Sequence, residues 1–267
     1  MTVLSSPDDP VGQIWEIKTE YLRNTFTGHT DFIRSLDFSP NGRYLVSASY
    51  DNTVRLWNIR DGTGKLLIED DPTFIDEPHY RSAVFSPDGK YIAASHRDGT
   101  VRIWRVRTRQ LIRRVQAHLD FVNGIAFMPD GKGLWSGCSD KTLKYWDISA
   151  LYDTRDNSEV EEHTQLEQPF LEHEVRIFSS FSSLVLPFVL QRAIHALAIS
   201  PDGRLIASGS NDKCVHIWDT QAMQCTINHD HAVTTIDFSP AGGYLASGEH
   251  NGIVKIWRYQ YITPGDS

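Results

Sequence analysis

Cysteine is scarce: three residues in 267, Cys138, Cys214 and Cys225, too few and too scattered for a disulfide framework or a zinc site. They read as reduced strand residues, and no metal is expected. There is no Asn-x-Ser/Thr sequon, and the opening MTVLSSPDDPVGQIW holds no basic region followed by an apolar core, so no secretory signal is expected. The longest apolar stretch, within 175–191, is well short of the roughly 20 residues that cross a bilayer, so no membrane association is expected. Positive charge is also in deficit. A net charge of −8 argues against nucleic acid as a direct partner.

Catalytic signatures are missing as well. Gly62-Thr63-Gly64-Lys65 resembles a phosphate loop, but Ile59 stands where the first glycine belongs and Leu66 where a Ser or Thr holds magnesium. Gly137-Cys138-Ser139 is followed by Asp140-Lys141, not by the pattern of a nucleophile elbow. His173-Glu174 is not followed by the second histidine of a zinc protease. Neither an enzyme nor a cofactor is expected.

What the chain does have is a recurring tryptophan that closes an alternating β-type run: Trp15, Trp57, Trp104, Trp146, Trp218 and Trp257. The intervals are 42, 47, 42, 72 and 39 residues. A period near forty marks an array of supersecondary units, none of which buries its apolar face alone. The units align along their length. GHTDFIRSLDFSPNGRYLVSASYDNTVRLWN (Gly28 to Asn58) matches AHLDFVNGIAFMPDGKGLWSGCSDKTLKYWD (Ala117 to Asp147) and NHDHAVTTIDFSPAGGYLASGEHNGIVKIWR (Asn228 to Arg258). RAIHALAISPDGRLIASGSNDKCVHIWD (Arg192 to Asp219) and YRSAVFSPDGKYIAASHRDGTVRIWR (Tyr80 to Arg105) are shorter copies. Each copy alternates up to a turn of the Ser-Pro-Asp-Gly kind, runs through a second strand to an Asp-centred turn, and ends a third strand at its Trp. With a linking fourth strand this is one four-stranded blade, and blades hide their apolar faces by packing around an axis.

These repeats resemble the WD-repeat family of β-propellers from Trp15 to Tyr259. The fold expected is all-β, with five recognisable four-stranded blades and an N-terminal half blade, in a ring that is strained or is an incomplete form of the seven-bladed ring usual in this family. Residues 1–12 are expected to be disordered, 13–262 to form the propeller with an atypical insertion at 150–191, and 263–267 to be a tail. The start, Gln13 to Ile17, looks like a third strand and Tyr21 to Thr27 like a fourth. In this family an N-terminal outer strand commonly completes the last blade, whose C-terminal strand here is Ile253 to Tyr259.

Four polar residues recur at fixed offsets. In the first complete copy they are His29, Ser47, Asp51 and Trp57; in the third, His118, Ser136, Asp140 and Trp146. An indole N–H only donates, a carboxylate only accepts, and Ser and His do both, so a closed Trp-Ser-His-Asp chain satisfies every buried polar group. The resemblance implies the structural tetrad of WD repeats. Ser, His and Asp together also suggest a hydrolase triad, but their repetition argues for scaffolding. The last copy has His229, Ser247 and Trp257 with Asn251 in the Asp position. The second keeps only Asp98 and Trp104, with Ala94 for the Ser. Both blades are expected to be weaker.

The fourth copy is interrupted. In the intact copies the tetrad His precedes the Phe of its strand by nine: His29 to Phe38, His118 to Phe127, His229 to Phe238. Nine before Ile199 falls on Leu190, and only removal of 175–191 brings His173 there, to join Ser208, Asp212 and Trp218. The segment VRIFSSFSSLVLPFVLQ has residues with pyrimidine-rich codons. It reads either as a retained intron or as a surface loop.

In WD repeats the residues just after the tetrad His and just before the turn Asp open onto the narrow top surface. The resemblance therefore implies a partner-binding face of Phe32, Tyr50, Arg97, Leu119, Phe121, Ser139, Asn211 and His250; the alternative for Phe32 and Phe121 is packing between blades. Arg102, Arg105, Arg107, Arg109, Arg113 and Arg114 are expected to guard an exposed outer strand, or to meet an acidic partner. Among WD-repeat proteins, the run from IWEIKTEYLRNTFTGH onward to IWRYQ is most similar to the C-terminal propellers of fungal Groucho-like corepressors. That similarity implies a non-catalytic scaffold for other proteins or peptides, nuclear or alternatively cytoplasmic, docking DNA-bound repressors or chromatin factors. Trp57-Asn58-Ile59-Arg60 approaches the Trp-Asp-x-Arg motif of cullin ubiquitin-ligase receptors, with Asn58 departing from it. A truncated product without function is a further alternative.

Overall fold

The computed structural model describes residues 2–4, 10–16, 18–69, 79–149, 172–173, 192–219 and 223–259. The inserted segment 175–191, the tail 263–267 and all of 150–171 lie outside the described residues. Every described regular element is a β-strand, and the sheets are antiparallel. β1 (Thr2–Leu4), β2 (Gly12–Glu16) and β3 (Tyr21–Phe26) form an N-terminal sheet. Blade 1 is β4 (Ile33–Phe38), β5 (Tyr44–Ser49), β6 (Thr53–Asn58) and β7 (Gly64–Glu69). Blade 2 is β8 (Tyr80–Phe85), β9 (Tyr91–His96), β10 (Thr100–Arg105) and β11 (Leu111–Gln116). Blade 3 is β12 (Val122–Phe127), β13 (Gly133–Cys138), β14 (Leu143–Asp147) and β15 (Glu172–His173). Blade 4 is β16 (Ile194–Ile199), β17 (Ile206–Ser210), β18 (Cys214–Trp218) and β19 (Met223–Asn228). Blade 5 has three strands among the described residues, β20 (Val233–Phe238), β21 (Tyr244–Glu249) and β22 (Val254–Arg258). This is a WD-repeat β-propeller architecture.

Local chemistry sets the hairpins. Ser39 accepts the amide of Gly42 at 2.8 Å, and its hydroxyl accepts the Tyr44 amide at 2.9 Å; Gly42 takes φ +66°, which a glycine adopts without cost. Ser86 with Gly89 and Ser200 with Gly203 repeat the turn. The second hairpin is held by the Asp carboxylate, which accepts the amide two residues on, as Asp51 does from Thr53 at 2.9 Å.

Apolar clusters lie between blades rather than within them. Val46, Ala48, Val54 and Leu56 of blade 1 pack on Tyr80, Phe85, Ile92 and Trp104 of blade 2. Tyr91, Val101 and Ile103 of blade 2 meet Val122, Phe127, Leu134 and Trp146 of blade 3, and blades 3–4 and 4–5 repeat the pattern. Ile14 and Phe26 of the N-terminal sheet pack on Leu45 and Trp57 of blade 1. The blades thus stack in chain order. Polar contacts add to this: Phe85 N–H donates to Asp37 at 2.7 Å across blades 1 and 2.

Three sequence expectations differ from this picture. Thr2–Leu4, within the stretch expected to be disordered, pairs with β2, Val3 opposite Ile14. β3 pairs with β2, as the third and fourth strands expected there, but it does not complete the last blade beside β22 in the way common in the family; Phe26 enters the cluster that covers blade 1. Among the described residues nothing covers the far face of blade 5: Val254 and Ile256 are 66% and 71% exposed, whereas Val54 and Leu56 at the same positions of blade 1 are 0% and 7% exposed. Arg102, expected on a surface strand, is buried and ion-paired to Asp98 at 3.1 Å, with Tyr80 as a second partner. Burial, with the charge of Arg114 adding to it, brings the Arg102 pKa down to about 10.

Candidate functional site

The tetrads form closed chains in blades 1 and 3. Trp57 Nε1 donates to Ser47 Oγ at 2.8 Å, Ser47 lies 2.6 Å from His29 Nε2, and His29 Nδ1 lies 2.7 Å from Asp51. The corresponding distances for Trp146, Ser136, His118 and Asp140 are 2.8, 2.7 and 3.0 Å. Thr53 and Thr142 complete the carboxylate shells. Burial raises the Asp51 carboxyl, but hydrogen bonds from His29 and Thr53 outweigh it and bring the pKa down to about 2. Asp140 is lowered the same way, through His118 and Thr142. The order of Ser, His and Asp is that of a hydrolase, yet Ser47 and Ser136 are fully buried and already accept an indole N–H. No substrate reaches either hydroxyl.

The other three blades depart from this pattern in a common way. In blade 5, His229 keeps Ser247 at 2.8 Å and Ser247 accepts from Trp257, but Asn251 turns to His231 and to the Ile253 amide, leaving His229 Nδ1 on the Ile227 carbonyl. In blade 2, Ala94 cannot accept, and Trp104 Nε1 is buried with no hydrogen-bond partner among the described residues. Asp98 there is held by His96 at 2.9 Å and by Arg102 and Arg114; burial raises it, and the His96 and Thr100 hydrogen bonds carry it down to about 2.

Blade 4 requires a correction. Trp218 reaches Ser208 at 3.1 Å, but His173 is not its tetrad partner: Glu172–His173 pairs with β14, Tyr145 opposite His173 and Trp146 opposite Glu172, as the outer strand of blade 3. The nine-residue spacing holds only with 175–191 removed, and in the full chain those residues stand between His173 and β16. Asp212 is taken instead by His216 Nε2 at 3.0 Å. Arg102, His216 and Lys255 all stand two residues before their tryptophan; Lys255 reaches buried Glu249 at 2.7 Å. A third-strand side chain thus supplies polar contacts where the tetrad is incomplete.

This yields a paired test. Trp57→Phe is expected to cost about 1–3 kcal/mol by leaving Ser47 without its donor. Trp104→Phe, which removes a buried donor that has no acceptor, is expected to cost less than about 1 kcal/mol. Urea unfolding of the two variants checks this; equal losses would remove the role given to the indole–serine bond.

Among the described residues, two groups bring His, Cys and Asp atoms close enough for a metal: His118, Cys138 and Asp140, and Asp212, Cys214 and His216. In both, the His and Asp atoms already bond each other, and burial pushes the Cys138 thiol up to about 12, far from a thiolate ligand.

The second cluster of candidate side chains sits where the first strands begin and the second strands end. In every blade the residue before the turn Asp (or Asn251) donates its amide to a residue before the first strand: Tyr50 to Phe32, Arg97 to His79, Ser139 to Phe121, Asn211 to Ala193 and His250 to Ala232, at 2.9–3.0 Å. The five amide donors, with Phe32 and Phe121, are positions expected from the sequence; His79, Ala193 and Ala232 are not. A third ring was not anticipated. The first strand of each blade carries a β-bulge at one residue, Arg34, Arg81, Asn123, His195 or Thr234, where pairing skips a position. A bulge re-aims its side chain, and these five, with Asn211, Ala232 and His250, line one cavity of about 430 Å3. The signal available in sequence was a polar residue four before the last apolar residue of each first strand.

Aromatic contacts tie the rings together. Phe32 and Tyr50 rings lie 6.3 Å apart, Arg97 stacks over Phe121 at 4.5 Å, and Asn123 Nδ2 donates to Ser139 at 2.9 Å. Leu119, 97% exposed, takes no part in these contacts.

Residues 20–58, 74–105, 109–147, 188–219 and 222–258 match the WD domain, G-beta repeat family. Similar curated proteins include nuclear distribution protein PAC1 of Ajellomyces capsulatus, 30% identical over 246 residues, which cover 88% of this chain and 50% of that protein. Jouberin of Rattus norvegicus is 24% identical over 237 residues, covering 78% of this chain and 22% of that one. Pre-mRNA-processing factor 17 of Saccharomyces cerevisiae is 23% identical over 250 residues, covering 81% and 51%. The chain thus spans about half or less of the length of these relatives. With five matched repeats over most of its length, a tetrad geometry repeated between blades and inter-blade cores in chain order, the chain belongs to the WD domain, G-beta repeat family.

Proposed function

We propose that this chain is a non-catalytic protein-docking scaffold whose partner surface is the face carrying Phe32, Tyr50, Arg97, Phe121, Ser139, Asn211 and His250, with Leu119 as an outlying apolar contact. The propeller is assigned to residues 13–262, with 150–191 as an insertion. The observation that carries the reading is the repeated amide bond that brings one residue before the first strand and one before the turn Asp together in all five blades. Aromatics with arginine are typical interface anchors, and here they are fixed on rigid hairpins. Buried, donor-occupied serines leave the tetrads without a catalytic role.

The partners assigned to this face are DNA-bound repressors or chromatin factors in the nucleus, on the strength of the similarity to Groucho-like propellers. The matched relatives carry three unrelated names, so family membership supports docking and leaves partner choice to the surface. Affinity purification of the full chain with mass spectrometry tests both levels. Combined Tyr50→Ala and Arg97→Ala is expected to abolish partner capture while unfolding moves by about 1 kcal/mol or less. Undiminished capture would sink the docking face; recovery of cullin adaptors in place of repressors would move the partner class to the ubiquitin-ligase alternative.

A further inference from the structure

Blade 4 differs from the other four in the chemistry of its third strand. Two residues past the turn acid, blades 1 to 3 carry Thr53, Thr100 and Thr142, and two residues further they carry Arg55, Arg102 and Lys144. Blade 5 has Ile253 and Lys255 there. In blade 4 the three positions are Asp212, Cys214 and His216, a carboxylate, a thiol and an imidazole. Side chains two apart along a strand share a face, and one donor atom of each residue lies within 4.8 Å of the other two. The scarcity of cysteine hid this group in the sequence, because two of its three donors are not cysteines.

The atoms behind those donors are already held. Asp212 Oδ1 accepts the Cys214 amide at 3.0 Å, which leaves Oδ2 for His216 Nε2, also at 3.0 Å. On β19, Thr226 Oγ1 lies 3.2 Å from His216 Nδ1, and Asn228 Oδ1 lies 3.4 Å from Cys214 Sγ. Outer contacts of this kind fix the direction of the ring and of the carboxylate at metal sites. The 3.0 Å between Oδ2 and Nε2 is close to the roughly 3.3 Å that separates neighbouring ligands of a tetrahedral zinc with bonds of about 2.0–2.1 Å. Blade 3 offers no equal site. His118 there closes a tetrad through Ser136 and Asp140, and fully buried Cys138 donates to the Asp120 carbonyl at 3.1 Å. A metal in blade 3 would break that tetrad, whereas in blade 4 no tetrad histidine reaches Asp212 or Ser208 among the described residues.

We propose that Asp212, Cys214 and His216 bind a divalent metal ion of the zinc type, which fastens the hairpin of blade 4 where the tetrad histidine is lacking. A thiolate with an imidazole selects such a metal over calcium or magnesium, which take oxygen ligands. His216 Nε2 then offers its lone pair to the metal, and the ring proton sits on Nδ1, where it is donated to Thr226. Burial, and after it the Asp212 charge, raises the Cys214 thiol. The cation supplies the charge that stabilises the thiolate, and one proton leaves the sulfur on binding. Three protein ligands leave a fourth position for water. This site is separate from the docking face and does not rest on it.

The test is titration of the full chain with Co2+, followed by absorbance. One equivalent is expected to give a near-ultraviolet thiolate band and the visible bands of a tetrahedral ion, both lost when Zn2+ displaces the cobalt. Zn2+ is also expected to raise the melting temperature, because it binds the folded chain. Cys214→Thr and His216→Arg place in blade 4 the residues that blade 2 carries, where Arg102 pairs with Asp98 at 3.1 Å. Each is expected to weaken cobalt binding by at least about tenfold, the least that loss of an outer contact costs a metal site. Cys214→Thr is further expected to remove the thiolate band and the zinc-induced melting shift, and it decides alone if His216→Arg fails to fold. Cys138→Ser, which gives blade 3 the residue found as Ser49 and Ser210 in blades 1 and 4, is expected to leave the band unchanged. A band that survives Cys214→Thr, or that disappears with Cys138→Ser, overturns the assignment. So does cobalt that stays octahedral without a thiolate band.

Discussion

Leu56→Ala is expected to lower stability by about 2–5 kcal/mol, while Ile256→Ala, at the same position of blade 5, is expected to cost about 0.5 kcal/mol or less. Both residues immediately precede a tetrad tryptophan. Leu56 is nearly inaccessible because blade 2 covers it with Tyr80, Ala83, Phe85 and Trp104. Nothing among the described residues covers Ile256. In a repeat array the stability resides in interfaces between neighbours, so one side chain type has two different values at equivalent positions. Urea unfolding of the two variants reads this directly. A loss at Ile256 as large as that at Leu56 would show that the outer face of blade 5 is covered in solution.

Most of the fold was legible because the repeat sets several periods at once: the alternation of strands, the Ser-Gly turn, the Asp turn and the terminal tryptophan. Each acts within a hairpin, and local rules suffice there. What was not legible depends on register. A β-bulge leaves no composition signal, so Arg34, Arg81, Asn123, His195 and Thr234 read as ordinary strand residues until the pairing showed each one skipped. Seven of the eight surface positions taken from the family pattern take part in the ring contacts, because their backbone bond recurs in every blade; Leu119 lies outside that bond. The substitution of Arg102 and His216 for a missing histidine was likewise hidden. From sequence they are polar residues on a third strand, and only the direction of the side chain toward Asp98 or Asp212 gives them a partner.

Deleting residues 175–191 is expected to move His173 from blade 3 to blade 4 and to raise the melting temperature. Chain length forces the move. In blade 2 the outer strand begins opposite Trp104 at Leu111, and eleven residues later Val122 opens the next inner strand. In blade 3 the outer strand has Glu172 opposite Trp146, and after the deletion Ile194 would come only five residues later. Five residues cannot climb the outer strand and cross to the inner one, so the pairing of β15 with β14 must shift to the residues before it. His173 then falls nine before Ile199, the spacing at which His29 and His118 meet Ser47 and Ser136. Ser208 gains a histidine partner and Asp212 a second one, worth about 1–3 kcal/mol, or about 2–4 °C per kcal/mol for a domain of this size. Removing an apolar segment also lowers aggregation. The check is a double-mutant comparison in which His173→Ala is introduced into both chains: it is expected to lower the melting temperature of the deletion variant and to leave the full chain unchanged. If the deletion variant melts lower than the full chain, residues 175–191 contribute to the propeller and His173 has no place in blade 4.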